Sequence, residues 1–282
     1  MSTLAELTQH AGLPRLEAQL LLDAAGGGNR VTQLTWPERE ASTEVSAHFA
    51  QLCARRLAGE PMAYLLGERE FFGLDLQVSP AVLIPRPDTE ILVEQALLRL
   101  PASARVLDLG TGSGAVALAL AHARPDAEVW ALDVSAPALA QAEANGQRLG
   151  LQVTWRLSDW FAAVAGERFA LLVSNPPYIA ADDPHLQQGD LRFEPAGALT
   201  DFADGLSAIR QLAAGAPAHL LPGGWLLIEH GWQQADAVQA ILRQTGFAEV
   251  ASWQDLAGHQ RVSGGRWPPS SEQTQVAARP IW

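Results

Sequence analysis

The sequence predicts an α/β fold in which a mostly parallel seven-stranded sheet, covered by helices on both faces, follows a small all-helical domain. Three observations carry this. From Pro101 onward, short β-rich runs alternate with helical ones, which is the pattern of a parallel sheet whose crossovers lie on its faces. From Leu4 to about Gly67, apolar residues recur only at helical spacing. Near the end, AEVASWQDLAGHQRVSGGRW holds two extended runs separated by a short Gly-containing turn, so the last strand runs antiparallel.

In chain order, Leu13, Leu16, Leu20 and Leu21, then Val45, Phe49, Leu52 and Leu57, mark helix faces punctuated by Gly26-Gly27-Gly28 and Trp36-Pro37. Residues 1–69 form this first domain. Cys53, in the apolar stretch HFAQLCARRL, reads as a small core residue. EFFGLDLQVSPAVLIP is rich in β-formers and broken by Gly73 and Ser79-Pro80, so residues 70–87 read as a hairpin linker. Asp88 reads as the N-cap of a helix through TEILVEQALLRL. Within the second domain, 88–267, the strands are ARVLDL, EVWALDV, QVTWRL, FALLVSN, WLLIEH and the final pair. Between them AVALALAHA, APALAQAEANGQRL, GLSAIRQLAAGA and QADAVQAILRQTG read as helices. Residues 268–282 lack periodicity and are expected to be poorly ordered.

Composition narrows the function classes. With 282 residues, 48% hydrophobic and 18% charged, the chain can bury a full core. No run approaches the ~20 apolar residues of a membrane span, and MSTLAELTQHAGLPRLEAQ lacks the basic-then-apolar pattern of a signal peptide, so a cytoplasmic protein is expected, with no membrane partner. The single cysteine excludes an internal disulfide, and no Cys/His spacing suits a metal. A formal charge of −12 with no lysine argues against a stable nucleic-acid partner, whose phosphates need Lys and Arg, and is compatible with a basic protein partner.

The strongest local signal is Asp108-Leu109-Gly110-Thr111-Gly112-Ser113-Gly114, a strand running into a glycine-rich turn that opens a helix. Glycines admit a ligand close to the backbone, and the helix start presents unpaired N–H groups. Gly110, Gly112 and Ala115 also satisfy the spacing of a nicotinamide dinucleotide site, and Asp133 ends the next strand as a ribose-binding acid would, so spacing alone leaves two cofactors open. Asp108 tips the balance: a carboxylate there repels a pyrophosphate and attracts the positively charged amino-acid end of S-adenosyl-L-methionine. Asp133 is then the candidate for the ribose hydroxyls, with a helix cap as its plainer role. Trp160, in Ser158-Asp159-Trp160-Phe161 after the following strand, is the candidate to stack on the adenine.

FALLVS runs directly into Asn175-Pro176-Pro177-Tyr178. Consecutive prolines end the strand in a rigid bend and force Asn175 toward extended geometry at the carboxyl edge of the sheet, where open α/β sheets bind ligands. The Asn175 side-chain oxygen and the Pro176 carbonyl can each accept one N–H of a planar NH2 group, and Tyr178 can lie against it, so these residues are the candidates for catalysis and acceptor binding. An amide or adenine amino nitrogen needs such positioning because its lone pair is delocalised. Glutamine and adenine present the same kind of NH2, so the residues alone leave both open.

Over nearly its whole length the chain resembles the bacterial peptide chain release factor glutamine methyltransferases. The likeness rests on Gly59-Glu60-Pro61, Tyr64-Leu65-Leu66-Gly67, Phe71-Phe72-Gly73, Ile84-Pro85-Arg86-Pro87-Asp88-Thr89-Glu90, the Asp108–Gly114 loop, Asn175–Tyr178 and Glu194-Pro195. The resemblance implies a Rossmann-like class I methyltransferase fold that uses S-adenosyl-L-methionine, yields S-adenosyl-L-homocysteine and needs no metal. It implies methylation of the N5 amide nitrogen of the glutamine in the Gly-Gly-Gln loop of class 1 release factors. By position, Gly110, Thr111, Gly112, Ser113, Gly114, Asp133, Trp160 and Asn175 would bind the donor and Asn175–Tyr178 the glutamine, while the helical domain would contact the release factor. For Arg86 and Glu90, ordering of the site and plain cap or ion-pair roles stand side by side. The loop from Ala180 to Gly205 could close over the acceptor, and its His185 reads as a solvated loop residue. Two other readings are an adenine-N6 methyltransferase of DNA or RNA and an inactive sensor of S-adenosylmethionine.

Overall fold

A computed structural model of the chain describes residues 2–269. Five short helices, α1 (Leu4–Gln9), α2 (Arg15–Leu22), α3 (Arg30–Thr35), α4 (Thr43–Leu57) and α5 (Met62–Leu66), form the N-terminal domain. Their apolar stripes meet in a core of Leu4, Leu21, Leu22, Phe49, Leu52, Cys53 and Leu65, and burial raises the Cys53 thiol pKa. Among the described residues of this domain, the one extended contact is an isolated bridge between Thr3 and Glu40.

A hairpin of β1 (Glu68–Phe71) and β2 (Leu74–Gln77) follows, starting two residues earlier than the sequence suggests. The next departure is at Asp88. It does not cap a helix: Pro87–Thr89 form a 3-10 turn, α6 (Glu90–Arg99) starts after it with no side-chain cap, and Asp88 instead pairs with Arg261 at 3.0 Å. Local capping preference yields here to a cation delivered from a distant strand.

The main domain then alternates β3 (Arg105–Leu109), α7 (Ala115–Ala123), β4 (Glu128–Asp133), α8 (Ala136–Leu149), β5 (Thr154–Leu157) and β6 (Phe169–Ser174). After a long connection holding the short α9 (Ala196–Leu199) come α10 (Ser207–His219), β7 (Leu220–Glu229), α11 (Ala235–Thr245), β8 (Ala248–Gln254) and β9 (Gln260–Arg266). The sheet order is β5-β4-β3-β6-β7-β9-β8, with β9 antiparallel to both neighbours, as expected of the terminal pair. Every residue of β6 is buried, which is why FALLVS has no polar alternation. Most of the tail expected to be poorly ordered lies outside the described residues.

From β3 the chain moves outward to β4 and β5, then returns to lay β6 on the other side of β3. The carboxyl ends of β3 and β6 therefore flank the point where strand order reverses, the place at which such sheets leave a crevice. Leu109 and Ser174 are paired in register, and the Ser174 hydroxyl donates to the Leu109 carbonyl at 2.6 Å. Gly110 and Asn175 thus leave the sheet side by side.

Candidate active site

The crevice is a cavity of about 290 Å3, near the lower end of the ~300–1,000 Å3 common for small-molecule sites. Asp108, Gly110, Thr111, Gly112, Ser113, Asp133 and Asn175 line it, so the two motifs that the sequence singles out open into one space. Gly110, Gly112 and Gly114 have φ of 76°, 58° and 85°, left-handed values that favour glycine. A Cβ on Gly112 would meet nothing within 4 Å, so the loop leaves open room beside its backbone, the kind of cradle an adenosyl or amino-acid moiety fills.

Two buried carboxyls organise the loop. Asp108 is 1% exposed, its Oδ2 accepts the Thr111 hydroxyl at 2.7 Å, and burial pushes its pKa up to about 7. Asp133 Oδ2 accepts the Gly112 amide and its Oδ1 the Ser135 amide, both at 2.8 Å. Burial raises its pKa as well, against those amide bonds. Helix capping falls instead to Ser135, whose side chain accepts from Ala138 at the start of α8. Asp133 spends one lone pair per oxygen on the backbone and keeps others toward the cavity.

Trp160 does not line the cavity. It sits behind Gly110, where a Cβ would come within 3.8 Å of its ring, and packs on the core between the sheet and α10. Its φ of 44° is left-handed, and the Ser158 hydroxyl holds its carbonyl at 2.7 Å.

Where β6 runs into the prolines, Asn175 Nδ2 donates to Thr89 Oγ1 at 3.2 Å, and among the described residues no hydrogen bond engages its side-chain oxygen. The Tyr178 hydroxyl donates to Glu229 at 3.3 Å, and burial, then the neighbouring Glu229 charge, pushes its pKa up. Behind the tetrapeptide, Gln234 Nε2 donates to the Tyr178 and Gly205 carbonyls at 3.0 and 3.2 Å. The connection after β6 is folded rather than loose: 3-10 turns at Pro184–Gln187 and Gly189–Phe193 precede α9, and Ile179 bridges Thr200. Pro195, Gly197 and Ala198 close one side of the cavity. His185 is exposed on this segment and its Nδ1 meets Asp183 at 2.6 Å, away from both motifs. Arg86 pairs with the buried Glu194 at 2.7 Å, and Glu90 accepts the Phe72 amide at 3.1 Å, which favours the ion-pair and positioning roles over capping.

Thr89 and Glu229 escaped the sequence reading. Thr89 lies within the Pro85–Glu90 stretch and so had a faint signal; Glu229, at the end of an apolar strand, had none.

Residues 87–194 match the family model for the methyltransferase small domain, and residues 2–67 that for the PrmC N-terminal domain. A release factor glutamine methyltransferase of Bordetella pertussis is 56% identical over 268 residues, spanning 94% of this chain and 99% of that protein. One from Pseudomonas aeruginosa is 52% identical over 274 residues, spanning 95% and 99%. The crystal structure of a methyltransferase from Pyrococcus furiosus, 20% identical, aligns over 76% of this chain and 97% of its own with a TM-score of 0.55, a likeness of fold.

Proposed function

The chain belongs to the release factor glutamine methyltransferases, and we propose that it transfers a methyl group from S-adenosyl-L-methionine to the N5 amide nitrogen of the glutamine in the Gly-Gly-Gln loop of class 1 peptide chain release factors. The observation that carries the site chemistry is the juxtaposition of Asn175 with the glycine loop across the paired ends of β6 and β3. The donor supplies an electrophilic methyl on a sulfonium centre and leaves as S-adenosyl-L-homocysteine.

The protein's part is binding and aim. Asp108 receives the ammonium of the donor's amino-acid end, Asp133 the ribose hydroxyls, and the backbone of Gly110 to Gly114 passes close beneath. Trp160, behind Gly110, supports the loop, and a contact with adenine requires its ring to turn toward the cavity. The free Asn175 oxygen and the Pro176 carbonyl accept the two N–H bonds of the glutamine amide, while Pro177 keeps the bend rigid and Tyr178 flanks the flat group. Held so, the amide nitrogen faces the methyl; the N–C bond forms as the C–S bond breaks, its electron pair returning to sulfur. Charge developing on nitrogen makes its N–H groups stronger donors, so the Asn175 and Pro176 bonds tighten in the transition state. One proton of the methylated nitrogen then passes to solvent water, so no general base is needed before transfer.

The test is transfer of labelled methyl to purified release factor, to its Gln→Ala variant in the Gly-Gly-Gln loop, and to DNA and RNA, by the wild-type and Asn175→Ala enzymes. Label on intact release factor alone, reduced at least ~10²-fold by Asn175→Ala, is the expected result. Label on nucleic acid instead would move the acceptor to adenine.

A further inference from the structure

Gln234 stands at the N-cap of α11, where Ser, Thr, Asp or Asn ordinarily accept an amide of the first turn, yet its side chain makes no cap bond. Its polar atoms are engaged elsewhere. Nε2 donates to the Tyr178 carbonyl at 3.0 Å and to the Gly205 carbonyl at 3.2 Å, while Oε1 accepts the Gly231 amide at 2.8 Å. One side-chain amide thus joins the bend after β6, the turn before α10 and the turn after β7. Its partners fix its orientation, because a backbone N–H can only give and a carbonyl can only accept.

The glycines around it keep room for this amide. A Cβ on Gly205 would stand 2.5 Å from the Tyr178 carbonyl and 3.0 Å from Gln234 Nε2, and one on Gly231 would stand 3.1 Å from Gln234 Oε1. The Gln234 backbone closes the same turn, its amide donating to the Gly231 carbonyl at 2.8 Å. The side chain is therefore carried on a turn that is bonded in both directions.

The bend after β6 needs such a tie. Pro176 and Pro177 have no N–H, so they cannot fasten the chain by donating. Outside the sheet ladder, the bond from Gln234 is the one hydrogen bond among the described residues that reaches the backbone of Asn175–Tyr178. The geometry points to Gln234 as a positioning residue for methyl transfer: by holding the Tyr178 carbonyl it sets where the Pro176 carbonyl and the Tyr178 ring stand. This rests on the reading of Asn175–Tyr178 as the acceptor's partner. Gln234 does not line the cavity, so its loss disturbs the aim of the acceptor and spares donor binding.

The test compares wild type, Gln234→Met and Gln234→Glu by kcat and KM for release factor methylation, with donor affinity and stoichiometry from calorimetry. Methionine keeps the length and donates no hydrogen bond; glutamate keeps the shape and turns a carboxylate toward two carbonyl oxygens. Both variants should lower kcat about 10- to 100-fold, Gln234→Glu the more, and leave donor affinity and release factor KM within about threefold. Turnover is counted per donor-binding site, so an unfolded fraction in either variant does not enter the comparison. A kcat within about threefold of wild type in both variants, or a donor affinity that falls in step with kcat, overturns the inference. A wild-type enzyme that leaves release factor unmethylated overturns the reading beneath it.

Discussion

Asp108 is a carboxyl whose burial works against its charge. With its pKa near 7, as for Glu194 and Glu229, the folded chain binds protons that the unfolded chain has lost above the ordinary carboxyl range. The sign follows: more protons are bound in the native state, so stability falls as pH rises from about 5 through 7, by at most a few kcal/mol per group. Thermal melting of the donor-free protein should show this decline, and it should be shallower in Asp108→Asn. On the proposed reading, the donor's ammonium would reverse the preference at Asp108 by favouring the carboxylate. Donor affinity should accordingly strengthen from pH 6 to 7.5, and Asp108→Asn should weaken binding about 10- to 100-fold and flatten that pH dependence, as calorimetry would read. That Asp108, Asp133 and Asn175 line one cavity was legible because each sits beside a motif that declares its strand end. Thr89 and Glu229 were not, because they become neighbours of Asn175 and Tyr178 only through folding, 86 residues from Thr89 to Asn175 and 51 from Tyr178 to Glu229.

At the scale of elements, the turn over Thr200–Ser207 braces Asn175–Tyr178 from behind. Asp201 accepts the Ala203, Gly205 and Ser207 amides at 2.9, 3.0 and 2.7 Å, and Gly205, with φ of 77°, lies so close that a Cβ would stand 2.5 Å from the Tyr178 carbonyl. Gly205→Ala should cost about 1–3 kcal/mol in denaturant unfolding and depress methyl transfer more than donor binding. A second brace is the Arg86–Glu194 pair, which ties the linker to the segment closing the cavity; the Glu194 side chain is fully shielded, its Oε1 meets Arg86 and its Oε2 has no hydrogen-bond partner among the described residues. Removing Arg86 strands that carboxyl, so Arg86→Ala should cost about 1–3 kcal/mol, and adding Glu194→Leu should recover part of the loss. Strands and helices of the main domain were legible from their alternation, since β6 and α7 are apolar for topological reasons that any parallel sheet imposes. The 3-10 turn at Asp88 was not, because a local capping rule has no knowledge of Arg261, 173 positions away by the numbering.

For the whole molecule, the decisive feature is the reversal of strand order between β3 and β6, which brings two motifs 65 residues apart onto one cavity wall. The sequence predicts the sheet and its antiparallel end, and the order of strands supplies the meeting point that spacing alone leaves undetermined. If the partner is the release factor alone, as proposed for this acidic chain without lysine, excess duplex DNA should leave release factor methylation unchanged. The most direct measurement is mass-spectrometric mapping of release factor after incubation with the wild-type enzyme and S-adenosyl-L-methionine. One added methyl on the side chain of the Gly-Gly-Gln glutamine, absent with Asn175→Ala, is the expected result; methyl on another residue, or on none while a nucleic acid in the same reaction becomes labelled, would contradict it.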